Sequence, residues 1–206
     1  MNDILGELER DAVTEILNVA IGRAGASLSS LIDDEVSLSI PRVEFLTPSL
    51  VAARLDQATG RRDSVAVRQH FKSAFAGDIL LIFPEEHCLG LVRSMLRDTV
   101  PLESLTELEQ EALLEIGNII LNACLGSLAN QLDLTIESSL PAYIRGSGPR
   151  ILEAGAASGE LIMFLEVSFA MASKGITGFL AFVMDIASAR QFAEAVAAYV
   201  KRALAG

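Results

Sequence analysis

Two stretches of the 206-residue chain decide the fold that the sequence predicts: DAVTEILNVAIGRAGASLSSLIDDEVSLSIPRV (residues 11–43) and EALLEIGNIILNACLGSLANQLDLTIESSLPAY (residues 111–143). Each reads as a long amphipathic helix followed by a strand that ends near a proline. Aligned without a gap, the two stretches carry identical residues one hundred positions apart. These pairs include Glu15 and Glu115, Ile16 and Ile116, Asn18 and Asn118, Ser27 and Ser127, Leu28 and Leu128, and Pro41 and Pro141. This unbroken register predicts that the chain arose by duplication of a half-domain.

The later parts of the two halves also resemble each other. GDILLIFPEEHCLGLVRSML (residues 77–96) and TGFLAFVMDIASARQFAEAV (residues 177–196) both combine a glycine, an apolar strand, a polar turn and a helix. Each half is therefore predicted to contain a long helix, a strand, a two-stranded hairpin and a closing helix. We expect these elements at about 3–31, 35–46, 64–83 and 85–98, and again at about 106–132, 134–145, 160–184 and 186–204. The long apolar hairpin strands are expected at the centre of a sheet.

The segments between these elements have turn and capping signals. TVPLESL (residues 99–105) is the predicted joint between the halves, and Thr106 with Glu109 forms a predicted capping box for the helix that follows. RGSGPR (residues 145–150) is predicted to be a loop, and it is not expected to bind phosphate because it lacks the lysine and the following helix of a phosphate-binding loop. Arg61 and Arg62 are expected to cap a polar loop.

The overall charge narrows the classes of partner. The formal net charge is −11, and 51% of the residues are hydrophobic. A chain this acidic is a poor candidate for binding a nucleic-acid backbone or an anionic membrane. Because the chain is acidic, we expect partners that carry positive charge around their own sites. The hydrophobic half of the residues is enough to form a sizeable core.

Cysteine and hydropathy patterns indicate a cytoplasmic protein. Cys88 and Cys124 lie in apolar helical patterns, which favours reduced, buried thiols. The N-terminus lacks a basic n-region and a long apolar run, so we expect no signal peptide. The most apolar stretch, residues 160–185, is interrupted by Glu166, Lys174 and glycines, which predicts a buried hairpin and no membrane insertion. His87 and Cys88 are merely adjacent, and no metal site is expected from the histidines and cysteines.

An unusual polar stripe runs along the first long helix. Asp11, Glu15, Asn18 and Gly22 fall within about 60° of one another on a helical projection, opposite an apolar face. That apolar face consists of Val13, Ile16, Leu17, Ala20 and Ala24. The second long helix repeats the stripe as Glu111, Glu115, Asn118 and Asn122, opposite Leu113, Ile116, Ile120 and Cys124.

Two interpretations of the stripe are open. Glu and Asn are ordinary residues on a solvated helix face, and a duplication copies neutral residues as well as functional ones. However, Asn is a mediocre residue in the middle of a helix, because its side chain competes for backbone hydrogen bonds. Gly22 costs about 1 kcal/mol of helix stability relative to Ala. A glycine in this position suits a helix that another surface must approach closely.

The stripe offers an exposed carboxylate and carboxamide with no nucleophile or metal beside them. Such groups are suited to assisting a reaction by hydrogen bonding and charge pairing rather than to covalent catalysis. An amide can donate and accept hydrogen bonds at once, so it can hold a water in line with an electrophile. A carboxylate one turn away can pair with a lysine of a partner. Such a site works when the partner itself brings the phosphoryl group and the magnesium.

The spacing resembles that of a known family. The pattern of an acid, three residues, Glu, two residues, Asn, twenty-two residues and Pro is similar to the signature of the CheC/CheX/FliY family of response-regulator phosphatases. Asp11, Glu15, Asn18 and Pro41 carry it once, and it recurs with Glu111, Glu115, Asn118 and Pro141. The family usually has Asp or Ser at the first position, which Asp11 matches and Glu111 does not. The resemblance covers essentially the whole chain, and two motifs in one chain are typical of the CheC type.

The resemblance implies a fold. We expect an α/β (α+β) protein in which one domain, residues 1–206, consists of two pseudo-symmetric halves of about 1–100 and 101–206. The halves would share a central, mostly antiparallel sheet. The two long motif-bearing helices would lie on one exposed side.

The resemblance also implies a reaction. The substrate would be the phosphorylated aspartate of a CheY-like response regulator, and this chain would bind no cofactor because Mg²⁺ would belong to the receiver domain. Asn18 or Asn118 would orient the attacking water, and Glu15 or Glu115 would pair with the receiver's active-site lysine. The remaining stripe residues are expected to contact the docked receiver: Asp11, Gly22, Glu111 and Asn122. In many bacteria such proteins also bind the receptor deamidase CheD, which makes CheD a second candidate partner.

Two other functions are compatible with the same residues. One is a non-catalytic module of the same fold that binds a response regulator or CheD, and the other is a structural protein associated with the flagellar switch. Pro41 and Pro141 are interpreted as structural residues that end or shape a strand. His70, in a predicted strand, and His87, at a predicted helix start, are expected to be structural or surface residues.

Overall fold

The structure is a computed structural model that describes residues 4–32, 35–40, 43–60, 62–88, 92, 107–153, 160–171 and 174–205. Its helices are α1 (Glu7–Ile32), α2 (Pro48–Thr59), α3 (described at residues 85–88 and 92), α4 (Glu107–Leu132), α5 (Gly148–Glu153) and α6 (Ile186–Ala205). Its strands are β1 (Val36–Ser39), β2 (Val43–Leu46), β3 (Ser64–Lys72), β4 (Ala76–Pro84), β5 (Glu137–Ser138), β6 (Ala142–Gly146), β7 (Glu160–Met171) and β8 (Lys174–Asp185).

One antiparallel sheet joins the two halves of the chain. The strand order is β1–β7–β8–β4–β3–β5, with β2 also paired to β7 and β6 also paired to β3. The hairpins β3–β4 and β7–β8 supply the four inner strands, because β4 pairs with β8 across the middle. The predicted central antiparallel sheet and its central hairpins are therefore confirmed.

Helices cover both faces of the sheet. The larger apolar cluster packs α1, α4 and α6 against one face, and the smaller cluster packs α2 and α5 against the other. Strand β3 shows how the sequence divides the faces: Val65, Val67 and Phe71 belong to the larger cluster, whereas Ala66 belongs to the smaller one. The prediction that the two long helices lie on one side of the sheet is confirmed.

The two strands predicted at 35–46 and 134–145 are each divided in the structure. The first becomes β1 and β2, both paired to β7, and the second becomes β5 and β6, both paired to β3. Each division falls at the residues next to a proline of the repeated pattern. A proline has no amide to donate to a ladder, so continuous pairing is not available at Pro141, between β5 and β6.

Two helices were not predicted. Helix α2 begins after Thr47, whose hydroxyl accepts a hydrogen bond from the Leu50 amide, and Pro48 lies in the first turn of the helix. The helix ends at Gly60, which has the left-handed backbone conformation. Those capping signals are visible in the sequence. The prediction that residues 145–150 form a loop is wrong, because β6 extends to Gly146 and α5 starts at Gly148.

Several predictions lie outside the described residues. These are the joint at 99–105, Thr106 of the capping box, Pro41, Arg61 and most of the helix expected at 85–98. The internal duplication stays a prediction. Arg62, the neighbour of Arg61, pairs with Glu86 at 3.0 Å on the surface.

The cysteines and the most apolar helix are core features. Cys88 and Cys124 are buried and form no disulfide, and burial raises the pKa of the Cys124 thiol to about 12. Residues Gln110–Leu132 of α4 are long and apolar enough to cross a membrane, but 56% of the tested window is buried inside the fold. A core helix passes the same test, so this finding is weak evidence for a span.

Two glycines of α4 have opposite surroundings. A Cβ at Gly117 would lie 2.5–2.7 Å from three side-chain atoms of Val67, which is fully buried on β3. A Cβ at Gly126, which is exposed, would meet nothing within 4 Å. The absence of a side chain at residue 117 therefore lets α4 approach β3 closely.

We expect Gly117→Ala to lower the free energy of unfolding by about 1–3 kcal/mol through overpacking against Val67. The matched control Gly126→Ala should raise it by about 0.5–1 kcal/mol, because an exposed helix position gains from Ala. Urea unfolding followed by circular dichroism measures both changes. Equal effects of the two variants would contradict the close approach.

Candidate functional site

The polar stripe of α1 lies on the surface. Asp11, Glu15 and Gly22 are exposed, and Asn18 is half-buried. All five residues of the predicted apolar face are at most 4% exposed: Val13, Ile16, Leu17, Ala20 and Ala24. The helical periodicity in the sequence thus placed both faces of α1 correctly.

The stripe of α4 has the same arrangement. Glu111, Glu115 and Asn122 are exposed, and Asn118 is half-buried. The opposite face, formed by Leu113, Ile116, Ile120 and Cys124, is buried. Neither asparagine is enclosed in the interior, so both lie where a partner can reach the helix.

The two motifs are offset from each other along the packed helices. Where α1 and α4 meet, the buried Ser127 hydroxyl donates a hydrogen bond of 3.4 Å to the Ile16 carbonyl. Ser127 is nine residues beyond Asn118, which is about 13 Å along a helix. The first motif therefore lies beside the C-terminal half of α4, away from the second motif. The structure offers two candidate sites rather than one composite site.

The amide of Asn18 is bonded to the backbone. Its Nδ2 donates to the Ile40 carbonyl at 3.0 Å, and its Oδ1 accepts from the Ile40 amide at 2.9 Å. Ile40 follows β1 and is 2% exposed. These two bonds tether the end of β1 to α1, and they satisfy backbone groups that would otherwise be buried without partners.

The amide of Asn118 is bonded to other side-chain amides. Its Oδ1 accepts from Asn122 Nδ2 at 2.7 Å, and Asn122 Oδ1 accepts from Gln69 Nε2 at 3.2 Å. Gln69 Nε2 also donates to the Ser139 carbonyl at 2.7 Å. Among the described residues, no group accepts from Asn118 Nδ2. The two motif asparagines therefore have the same position in their helices and different partners.

Gly22 occupies the place in α1 that Asn122 occupies in α4. A Cβ at Gly22 would meet nothing within 4 Å, and only Gly60 among the described glycines has a positive φ. The fold itself therefore does not require a glycine at position 22. Its predicted contact with a docked partner is consistent with this open space and stays a prediction.

The carboxylates of both stripes carry unpaired charge. Within the described part of the chain, Asp11, Glu15, Glu111 and Glu115 form no ion pair with another residue. They are available to cationic groups of a partner. No group of three or more His, Cys, Asp or Glu side chains that could hold a metal ion occurs among the described residues.

A hollow of about 640 Å³ lies on the opposite face of the sheet. Its lining includes Arg68, His70, Asp78 and Arg150. Arg68 and His70 alternate along β3 with Val67 and Gln69, so they point away from α4. Asp78 accepts from both Arg68 and His70 at 3.3 Å, while His87 bonds to the Thr177 carbonyl at 3.2 Å. This hollow is distinct from the motif sites.

Sequence reasoning missed Gln69 and the backbone of Ile40. Gln69 had a detectable signal: it is a polar residue at an inward position of β3, between Val67 and Phe71. Ile40 had no signal of its own, because its role depends on a contact with a residue 22 positions away.

Comparison with known proteins shows what the chain is similar to. No protein-family model matches the chain. Flagellar motor switch phosphatase FliY of Bacillus subtilis is 25% identical over 143 residues, which are 68% of this chain and 36% of FliY. CheC1 of Halobacterium salinarum, which is named as a CheY-P phosphatase, is 26% identical over 143 residues, or 68% of this chain and 70% of CheC1. The match thus spans only about a third of the FliY sequence.

Solved structures of FliY and CheX have folds similar to that of this chain. FliY of Thermotoga maritima has a TM-score of 0.78, with 18% identity, and the match covers 96% of this chain and 100% of that one. CheX of Borrelia burgdorferi was solved in a complex with CheY, BeF₃ and Mg²⁺. Its TM-score is 0.52, with 16% identity, and the match covers 83% of this chain and 97% of that one. The chain is therefore similar in sequence to FliY and CheC1, and similar in fold to FliY and CheX.

A similar fold also occurs in a FliM structure. The FliM middle domain of H. pylori has a TM-score of 0.65, with 11% identity, and the match covers 93% of this chain and 99% of that one. At such identities the likeness concerns the fold alone. The side chains of the two stripes, rather than the fold, must therefore carry any argument about activity.

We expect Asn18→Ala to lower the free energy of unfolding by about 2–3 kcal/mol, because it leaves the amide and carbonyl of Ile40 unpaired in a buried position. Asn118→Ala should cost less than about 1 kcal/mol, since the Asn122 amide it releases is exposed and can bond to water. Urea unfolding of both variants tests the difference. A cost for Asn118→Ala as large as that for Asn18→Ala would show that the tether at Ile40 is unimportant.

Proposed function

We propose that this chain is a phosphatase that removes the phosphoryl group from the aspartate of a CheY-like response regulator. The names of FliY and CheC1 and the CheX–CheY complex support a general phosphatase role. The observation that carries the proposal is the Asn118 amide: it lies half-buried on the surface of α4, next to exposed Glu115, with its Nδ2 not bonded to any described residue.

The proposed chemistry divides between the two proteins. Asn118 orients the water that attacks the phosphoryl group through its Nδ2, whose N–H groups are not bonded to any described residue and can donate to that water. Glu115 pairs with the active-site lysine of the receiver and so fixes the docked orientation. The receiver holds Mg²⁺, and the products are inorganic phosphate and the unmodified aspartate. We place this reaction in the cytoplasm, with CheD as a second proposed partner.

Of the two motifs, the second is proposed to contribute more to turnover. To reach a phosphoryl group, Asn18 would have to release two hydrogen bonds to Ile40 and leave buried backbone groups unpaired. Each such group costs about 1–3 kcal/mol. Asn118 has no equivalent bond to release, because its Nδ2 is not engaged by the described residues.

We expect the purified chain to accelerate phosphate release from a CheY-like receiver of the same genome, phosphorylated with acetyl phosphate in the presence of Mg²⁺. Asn118→Ala should lower kcat by at least about tenfold, with a smaller loss for Asn18→Ala measured where that variant stays folded. Binding without acceleration would favour the non-catalytic module. Neither binding nor acceleration, with co-purification of motor proteins, would favour a flagellar-switch component.

We expect Glu115→Ala to raise KM for the phosphorylated receiver by about three- to tenfold, with kcat little changed, because it removes attraction to a lysine at the docked interface. The effect should shrink as salt increases. Glu194→Ala is the control: this residue is exposed on α6 and changes the net charge equally. A lower kcat at unchanged KM would refute the docking role of Glu115.

A further inference from the structure

Three side-chain amides form a directed chain of hydrogen bonds that ends at the second motif. Gln69 of β3 donates to Asn122 of α4, and Asn122 donates to Asn118 one turn earlier in the same helix. In each bond an Nε2 or Nδ2 group donates to the Oδ1 of the next residue. The last amide, that of Asn118, therefore keeps both N–H groups and one oxygen lone pair free of the described residues.

Gln69 is an unfavourable choice for stability at its position. It is 2% exposed on a strand whose neighbouring inward residues, Val67 and Phe71, are apolar. Its Oε1 is buried and has no hydrogen-bond partner in the described part of the chain. An unpaired buried oxygen of this kind costs about 1–3 kcal/mol. An apolar residue would avoid that cost, so the amide of Gln69 needs another explanation.

The close packing of α4 on β3 makes the chain of amides possible. Gly117 leaves no side chain between α4 and Val67, and this brings the next turns of α4 within reach of Gln69. Gln69 also donates to the Ser139 carbonyl at 2.7 Å, and the Ser139 hydroxyl accepts from the His70 amide at 3.0 Å. The amide nitrogen of Gln69 is therefore fixed at the buried end by the sheet.

We propose that Gln69 and Asn122 are positioning residues that hold the Asn118 amide with its oxygen turned back along α4 and its nitrogen turned towards a docked phosphoryl group. This inference rests on the proposed function and adds the residues through which its water-orienting amide is held. Asn122 accepts one bond and donates the next, so it fixes which end of the Asn118 amide faces outward. Consecutive bonds of this kind also polarise each other, which strengthens the last amide as a donor.

The first motif lacks every part of this arrangement. Gly22 stands in place of Asn122, so no side chain of α1 can donate to Asn18 from the following turn. Asn18 bonds instead to the backbone of Ile40. The two copies of the motif are thus distinguished by the residue that follows the asparagine by one turn.

The test measures kcat and KM for an acetyl-phosphate-phosphorylated, Mg²⁺-loaded CheY-like receiver with four variants of the full chain. Asn122→Ala should lower kcat by about tenfold at unchanged KM, since a displacement of about 1 Å at a reacting group has large effects. Asn122→Asp should be at least as impaired, because a carboxylate would accept from Asn118 Nδ2 and reverse that amide. Asn122→Gln, which keeps a donor, should recover most of the activity. Gly126→Ala, one turn further along the same exposed face, is the matched control and should match the wild type.

Gln69→Leu provides a second measurement at the buried end. It should leave the free energy of unfolding about unchanged, because it removes the unpaired oxygen together with the donor, and it should lower kcat severalfold. The inference gives Asn122 a positioning role in place of the receiver contact that the resemblance implies, so binding of a BeF₃-loaded receiver should be unaffected in Asn122→Ala. Unimpaired kcat in Asn122→Ala, or a raised KM with normal kcat, would overturn the positioning role and leave the proposed function intact. A wild-type chain that does not accelerate phosphate release would overturn the proposed function and this inference with it.

Discussion

The contact between α4 and β3 at Gly117 determines much of what the second motif can do. A side chain at residue 117 would collide with Val67, which is fully buried in the layer between sheet and helices. With the helix held this close, Gln69, two residues further along β3, reaches Asn122 of the next turn. A difference of one or two ångströms in this spacing would separate the two amides. A packing constraint in the core therefore controls the orientation of a polar group at the surface.

The position in α1 that corresponds to Gly117 is Leu17, a large side chain that is fully buried. Helix α1 packs next to β1, where a Cβ at Gly25 would come within 3.0 Å of the Val36 carbonyl. Asn18 then meets the backbone at the end of β1 rather than a side chain of the sheet. Similar motif sequences thus have different environments, because the contacts that surround them come from residues that the two stretches do not share.

Periodicity predicted most of the fold. The two 26-residue helices and the two central hairpins were identified because their apolar residues repeat at helical or strand spacing over long segments. The short elements were missed: α2 has only three buried residues, although Thr47, Pro48 and Gly60 mark its ends. The division of the edge strands depends on their pairing with β7 and β3, which local sequence does not reveal.

The candidate site was predictable to the same extent. Exposure of the two stripes follows from the helical projection alone, as does burial of the faces opposite them. The hydrogen bonds of Asn18 and Asn118 cannot be predicted from that projection. Asn18 bonds to the residue that follows β1, whereas Asn118 bonds to the following turn of α4, which in turn bonds to β3. The polar residue Gln69 within an apolar strand was the one local sign of the second network. Gln69 is therefore a more informative signal of the second network than the exposed polar stripe is. Its buried oxygen is unpaired, and this has a cost in stability that an ordinary core residue would not have.

The fold and the stripes carry different kinds of information about function. A sheet covered by two long helices is shared by FliY, CheX and FliM structures at 10–20% identity, so it is compatible with both catalytic and structural roles. Under the proposed function, those roles differ in whether an amide at the surface is free to act on a water or is occupied in holding the chain together. In this molecule one asparagine of each kind is present: Asn18 stabilises the end of β1, and Asn118 has an unengaged nitrogen. A repeated motif can therefore keep its sequence while one occurrence serves stability, because the carboxamide chemistry that the proposed function uses to orient a water also satisfies a buried backbone.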